Sequence, residues 1–339
     1  MGAVQSSSSE NGVIWREHKK PVHACCVSMD GTMLLSCSGD KTLKLWSLND
    51  FTFLRQFDGH ASPVYSCSFS WDGKFAISGS LDGEVKVWDV SLGKELYTLQ
   101  EHKQAVMDVK FHPTKVQAIS ASADKSLLVW EFFEDESSAE QSMTSRRIAL
   151  TGHRNAVNSI AVTSDGQSII SGSSDNSVKV WSTKTMKDVK TFSGHKDAVM
   201  SVDVNLDGTL IISSSQDYSV RIWSFESGKV MRVLTGHVDA VRCCKFSLDG
   251  TMILSGSFDK NLIAWVMAED SDDWERACIF KGGHSRGITT CSFSPDGMVA
   301  ISGSWDGSVH LWPMEDIRLH AAFQRQGDGN GEKEGDCGP

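Results

Sequence analysis

Between Pro63 and Gln100 the chain moves through short runs rich in β-branched, aromatic and small residues, each closed by a turn signal. "PVYSCSFS" reads as a strand, "WDGK" as an Asp-Gly turn and "FAISGS" as a second strand. "LDGE" then reads as another turn, "VKVWDV" as a third strand and "ELYTLQ" as a fourth. Asp-Gly marks a hairpin because glycine supplies the positive φ that a tight turn demands, while the flanking residues favour the pleat. The pattern predicts a module of four short strands in about 42 residues.

The module recurs along the chain. Tryptophans stand at Trp46, Trp88, Trp130, Trp181, Trp223, Trp265 and Trp312, each 28 residues after one of His18, His60, His102, His153, His195, His237 and His284. An aspartate lies 22 residues after every histidine (Asp40, Asp82, Asp124, Asp175, Asp217, Asp259, Asp306), and a serine lies four residues before each aspartate (Ser36, Ser78, Ser120, Ser171, Ser213, Ser255, Ser302). Serine, histidine and aspartate together suggest nucleophilic catalysis, but a catalytic triad is one constellation oriented by unique neighbours. Residues repeated seven times at one spacing read instead as parts that hold each unit together.

The "GH" before the first strand ("DGH", "TGH", "SGH"), the "SGSxD" turn and the closing tryptophan resemble the WD40 family over roughly residues 12 to 313. Only Trp88-Asp89 has the literal Trp-Asp pair, at a position that varies within the family. The resemblance implies an all-β, seven-bladed propeller, with histidine-to-tryptophan units at 18–46, 60–88, 102–130, 153–181, 195–223, 237–265 and 284–312. It also implies that each His, Ser, Asp and Trp form a hydrogen-bonded tetrad linking the inner loop, second strand, turn and third strand. After Trp312 the chain never returns to a "GH", so the seventh unit lacks an outer strand, whereas "GVIWRE" before His18 is an outer strand without a blade. Pairing the two would close the ring and remove its open edges. Residues 1–11 are then expected to be a disordered leader, and 314–339 an acidic, disordered tail.

The formal net charge of -10 argues against nucleic acid as a partner, because that affinity comes mainly from lysine and arginine displacing counterions. No apolar run is long enough for a helical membrane span, and the start of the chain lacks a signal-peptide core. With nine cysteines, an odd number, reduced thiols and a cytoplasmic location are expected, with the nucleus or a membrane surface as alternatives. Cys25, Cys67, Cys244 and Cys291 lie seven residues after a histidine, where other units have Val109, Ile160 and Val202, so they read as small core side chains. No cysteine or histidine group has zinc-ligand spacing, and no cofactor, metal or catalytic residue is assigned. The chain reads as a non-enzyme. "MGAVQS" fits an N-myristoylation signal on Gly2, although one acyl chain holds a protein at a membrane only marginally.

If the repeated residues are structural, binding falls to those that differ between units. Before each repeated aspartate stand Gly39, Leu81, Ala123, Ser174, Gln216, Phe258 and Trp305; five residues after each histidine stand His23, Tyr65, Met107, Asn158, Met200, Arg242 and Thr289. The apolar pattern shifts phase at the latter position, which predicts a β-bulge. Family geometry places both sets at one end of the ring, called the top. Tyr65, Leu81, Met107, Met200, Arg242, Phe258 and Trp305 are the candidate partner-binding residues, with the aromatic, methionine and arginine composition of an interaction hot spot. Lys19, Lys20, Lys103, Arg154, Lys196 and Arg286 would surround them with positive charge, which implies a peptide or protein partner with apolar anchors and acidic flanks.

The spacing between units lengthens after Trp130 and Trp265, where "EFFEDESSAEQSMTSRR" and "VMAEDSDDWER" each carry five acids. These inserts are expected to lengthen bottom-face loops and form a second, acidic surface. Phe132, Phe133 and Trp274 are candidate docking residues there, and Ser137, Ser138 and Ser142 candidate phosphorylation sites. The functional expectation is a monomeric scaffold or adaptor within a larger complex. A myristoylated signalling adaptor and a ubiquitin-ligase substrate receptor are the alternatives, the latter disfavoured because Val90 and Ser91, not arginine, follow Trp88-Asp89.

Overall fold

The structure is a computed structural model that describes residues 13–134, 143–268, 273–314 and 336–337. All regular elements among these residues are strands. The hairpin reading of the second unit corresponds to strands Val64–Phe69, Phe75–Ser80, Glu84–Asp89 and Lys94–Gln100, paired in chain order into one antiparallel sheet. The other units repeat this order, giving seven blades, and their first strands touch one another around the whole ring. Residues Val13–Trp15 form the outer strand of blade seven, in register Val13↔Leu311 and Trp15↔Val309, as the leftover outer strand required. A two-residue strand, Asp336–Cys337, adds in parallel to the outer edge of blade six.

The apolar core is distributed as seven layers between neighbouring blades. One layer joins Leu35, Cys37, Leu43, Leu45 and Phe57 of blade one to Val64, Cys67, Phe69, Ala76 and Trp88 of blade two. Ring closure uses the same physics: Trp15 stacks on Trp46 with centroids 4.6 Å apart, and its indole N–H donates to the Phe51 carbonyl at 3.2 Å. The first-strand cysteines lie in these layers or against the channel as free thiols. Burial pushes the Cys244 thiol up to about 12, which suppresses thiolate chemistry. Cys278, in contrast to the expectation of reduced thiols throughout, is disulfide-bonded.

The insertion after Trp130 lengthens strands rather than only a loop. Ser126–Glu134 and Met143–Thr151 pair residue for residue from Ser126↔Thr151 to Glu134↔Met143, because the extra residues on both sides continue the ladder in register. Phe132 packs towards Tyr97 at 6.2 Å, and Trp274 is buried against Phe246 at 6.2 Å between blades five and six. Neither is an exposed docking residue; each covers apolar surface at a blade edge. The side chain of Phe133, together with Ser137, Ser138 and Ser142, lies outside the described residues, as does Gly2.

Candidate functional site

The repeated polar residues are buried and bonded to one another. In blade five, His195 Nδ1 lies 2.8 Å from Asp217 Oδ2 and its Nε2 lies 2.7 Å from Ser213 Oγ, while the Trp223 indole N–H donates to the same serine at 2.8 Å. Asp217 also accepts the backbone N–H groups of Lys196 and Ser219 and the Ser219 hydroxyl. The same His–Asp, His–Ser and Trp–Ser pairs recur in blades one, three, four, six and seven. Each set joins the top loop to the second and third strands of its blade, so these residues position the loops that carry the candidate site.

Blade two departs from this rule. His60 Nε2 meets Ser78 Oγ at 2.7 Å and Trp88 donates to Ser78 at 2.8 Å, but His60 Nδ1 has no partner among the described residues. Asp82 instead accepts the Ser80 hydroxyl and, at 3.3 Å, the Glu84 N–H. The cause is local. Five blades place a hydroxyl two residues after the aspartate, at Thr42, Ser126, Ser177, Ser219 and Ser308, and that hydroxyl donates to the carboxylate. Blade six has Asn261 there and keeps its His–Asp link, whereas blade two has Glu84, which cannot donate from its ionised side chain, and the Asp82 carboxylate faces its own turn. Without that carboxylate, burial holds His60 down to about 4. Six blades carry the complete His–Asp link; blade two does not.

The first strands enclose a central channel of about 960 Å3. Every first strand has its register shift one residue in, so that His23, Tyr65, Met107, Asn158, Met200, Arg242 and Thr289 are each the bulged residue. All seven line the channel mouth, because the extra residue in the bulge turns its side chain off the sheet and inward. Of the candidate binding residues, Leu81 and Trp305 are exposed, at 44% and 43%. Tyr65, Met107, Met200, Arg242 and Phe258 are half-buried, so they form a recessed floor rather than an exposed ring.

Four of these residues meet on blades five to seven. The Arg242 guanidinium lies over the Phe258 ring at 5.2 Å, Phe258 contacts Trp305 at 5.1 Å, and Arg242 Nη1 approaches Met200 Sδ at 3.6 Å. Across the mouth His23 meets Tyr65 edge to face at 4.9 Å; burial, then the Arg242 charge, hold its imidazole down to about 4. Arg242 Nε is buried without a hydrogen-bond partner, and among the described residues the guanidinium makes no ion pair. Burial lowers the pKa of Arg242, although a guanidinium remains charged at neutral pH. Around the mouth Lys19, Lys20, Lys103, Arg154, Lys196 and Arg286 are exposed, but Asp197 and Asp239 share the loops of blades five and six. The basic collar is therefore strongest on blades one, three, four and seven.

Gly287 shapes this cluster. A Cβ there would lie 2.4 Å from Phe258 Cδ1 and 2.9 Å from its Cα. Gly287→Ala is expected to push Phe258 off Arg242 and Trp305, lowering the unfolding free energy by about 1–3 kcal/mol, as overpacking does. Chemical denaturation measures the loss; an unchanged denaturation midpoint would show that the mouth tolerates repacking.

Deeper in the channel, Asp108 links three blades. It accepts Ser66 Oγ at 2.7 Å, Ser159 Oγ at 3.2 Å and the Ile160 N–H at 2.8 Å, and it pairs with Lys110 at 3.3 Å. Asp203 similarly takes Lys245 at 2.6 Å and the Phe246 N–H at 2.9 Å. These carboxylates are occupied as ties between neighbouring first strands, which leaves Arg242 as the cation in the channel without a carboxylate among the described residues.

A closed ring of four-stranded blades, pinned by repeated polar tetrads and open at a channel mouth, defines a seven-bladed β-propeller. The family described as "WD domain, G-beta repeat" matches residues 9–47, 51–89, 93–131, 144–182, 186–224, 228–265 and 276–313, and the chain belongs to that family. Propellers of this family commonly act as protein-interaction scaffolds. A search of curated proteins found no match.

Proposed function

We propose that this propeller is a non-catalytic scaffold that seats an acidic, apolar-anchored segment of a partner protein across the top mouth of its channel. The observation that carries the reading is Arg242: a recessed guanidinium with a buried, unpartnered Nε and no ion pair among the described residues. Desolvating a charge without pairing it is costly, and a ligand carboxylate or phosphate would offset that cost with charge-assisted, bidentate hydrogen bonds. Phe258 beneath the guanidinium and Trp305 beside it fix its plane, and exposed Leu81 and Trp305, on the two blades that flank blade one, offer apolar contact.

The test is affinity capture with the full chain from its native cells, read by quantitative mass spectrometry. Trp305→Ala combined with Tyr65→Ala, and separately Arg242→Gln, are expected to weaken capture of the same partners by roughly 30-fold, the consequence of losing about 2 kcal/mol at a hot spot. Retention of the same partners by both variants, with unchanged thermal midpoints, would show that the top mouth is not the binding site.

A further inference from the structure

The other mouth of the channel carries a second ring that the tetrad spacing does not reveal. The hairpins joining first to second strands place Met29, Trp71, Pro113, Leu206, Leu248 and Pro295 on the channel lining, with Ser164 at the same position in blade four. Met29 is 61% exposed, Trp71 67%, Leu206 55% and Leu248 41%. Six of these seven positions are therefore apolar although the hairpin itself has no need of it, as Ser164 demonstrates.

The residues that follow are as regular. Asp30, Asp72, Asp165, Asp207, Asp249 and Asp296 stand next in six of the hairpins, all exposed, with Thr114 in the third. Their presence has a local cause: Asp30 Oδ1 accepts Ser28 Oγ at 2.6 Å and the Thr32 N–H at 3.1 Å, and Asp165 and Asp207 serve their own turns in the same way. Those hydrogen bonds also hold the carboxylates of Asp30, Asp165 and Asp207 below the ordinary range, so they stay charged. The seven hairpins contribute six aspartates and two lysines, Lys74 and Lys115, and Lys74 is already 3.5 Å from Asp72. Turn chemistry accounts for the aspartates; it does not account for the apolar residues inside their circle.

We propose that this mouth docks a basic segment of a partner protein, one large apolar side chain seated among Met29, Trp71, Leu206 and Leu248, with lysine or arginine on either side facing the aspartate collar. Contiguous exposed apolar surface rimmed by charge is the signature of an interaction site. The sign of the collar selects the occupant. An anionic membrane surface would meet like charge. So would a second copy presenting the same face, and so would the chain's own tail from Gln324 onwards, which holds four acids against Arg325 and Lys333.

Selection of displayed random-sequence peptides on the full chain provides the test. Peptides with lysine or arginine flanking a leucine, methionine or aromatic residue are expected to be enriched. A labelled winner, followed by fluorescence anisotropy, is expected to lose at least roughly tenfold in affinity to the Trp71→Ser, Leu206→Ser double variant, and to weaken as salt rises. Both positions are exposed, and a second variant, Leu206→Lys, gives the same loss by repulsion without a deletion. Binding unchanged by Trp305→Ala with Tyr65→Ala separates this site from the top mouth. Four results would each overturn the proposal: no enrichment, enrichment of acidic peptides, undiminished binding by both bottom-mouth variants, or a dimer in sedimentation that those variants abolish.

Discussion

Ser213→Ala is expected to lower the unfolding free energy by about 2–5 kcal/mol. The deleted oxygen is fully buried and serves two groups at once, the Trp223 indole N–H at 2.8 Å and His195 Nε2 at 2.7 Å. Each buried partner left unsatisfied costs about 1–3 kcal/mol. The comparison that makes this a test of mechanism lies in the aspartates. Asp217→Ala removes four hydrogen bonds, among them the link to His195. Asp82→Ala removes no bond to its histidine, because His60 Nδ1 has no partner among the described residues. Guanidinium denaturation midpoints should therefore fall further for Asp217→Ala, by the equivalent of about 1–3 kcal/mol. Equal losses would mean that the His–Asp bond contributes nothing and that these aspartates act only as turn caps.

The second large effect is acid destabilisation. Burial, the main cause in each case, holds His310 down to about 3 and both His23 and His60 down to about 4, against an ordinary histidine value of 6.5. The folded state therefore refuses protons that the unfolded state accepts. The stability is fully present above pH 6.5 or so, and it drains as pH falls towards these folded values. His310 is the clearest contributor: it is 3% exposed, its Nε2 has no hydrogen-bond partner among the described residues, and the ring packs 4.1 Å from His284. Blades three and six have Leu128 and Ile263 at the same place in the repeat, two residues before the tryptophan. His310→Ile is expected to stabilise the protein at pH 5 by about 2 kcal/mol relative to its effect at pH 8. Thermal midpoints of the two proteins across that range check it; parallel pH profiles would show that His310 takes up no less acid folded than unfolded.

Much of the fold was legible because it is written seven times. A four-strand module is ambiguous alone, but one spacing shared by His, Ser, Asp and Trp across seven units leaves little freedom in how they pair. The leftover strand before His18 could be assigned to the last blade by counting, and the bulge position could be read from the phase shift in the apolar pattern. The candidate site was legible only as a set of positions. Nothing in the spacing distinguishes a side chain on the rim from one in the recess, and most of the proposed ring is half-buried. The reading of Trp274 and Phe132 failed for a related reason. Aromatics beside acids look alike whether they face solvent or cover a blade edge, and burial belongs to the neighbouring blade rather than to the local sequence.

The repeat by itself determined the blade count, the hairpin order, the polar tetrads as structural elements and the ring closure, because period-two alternation and turn chemistry act over a few residues. Tertiary structure decided the rest. Only the folded turn shows that Asp82 leaves His60 without its carboxylate. Arg242, Phe258, Met200 and Trp305 come from three different blades, and the apolar ring inside the aspartate collar exists only where seven hairpins converge. Packing between distant segments, which no local pattern encodes, sets which of those side chains are buried, which are charged and which remain open to a partner.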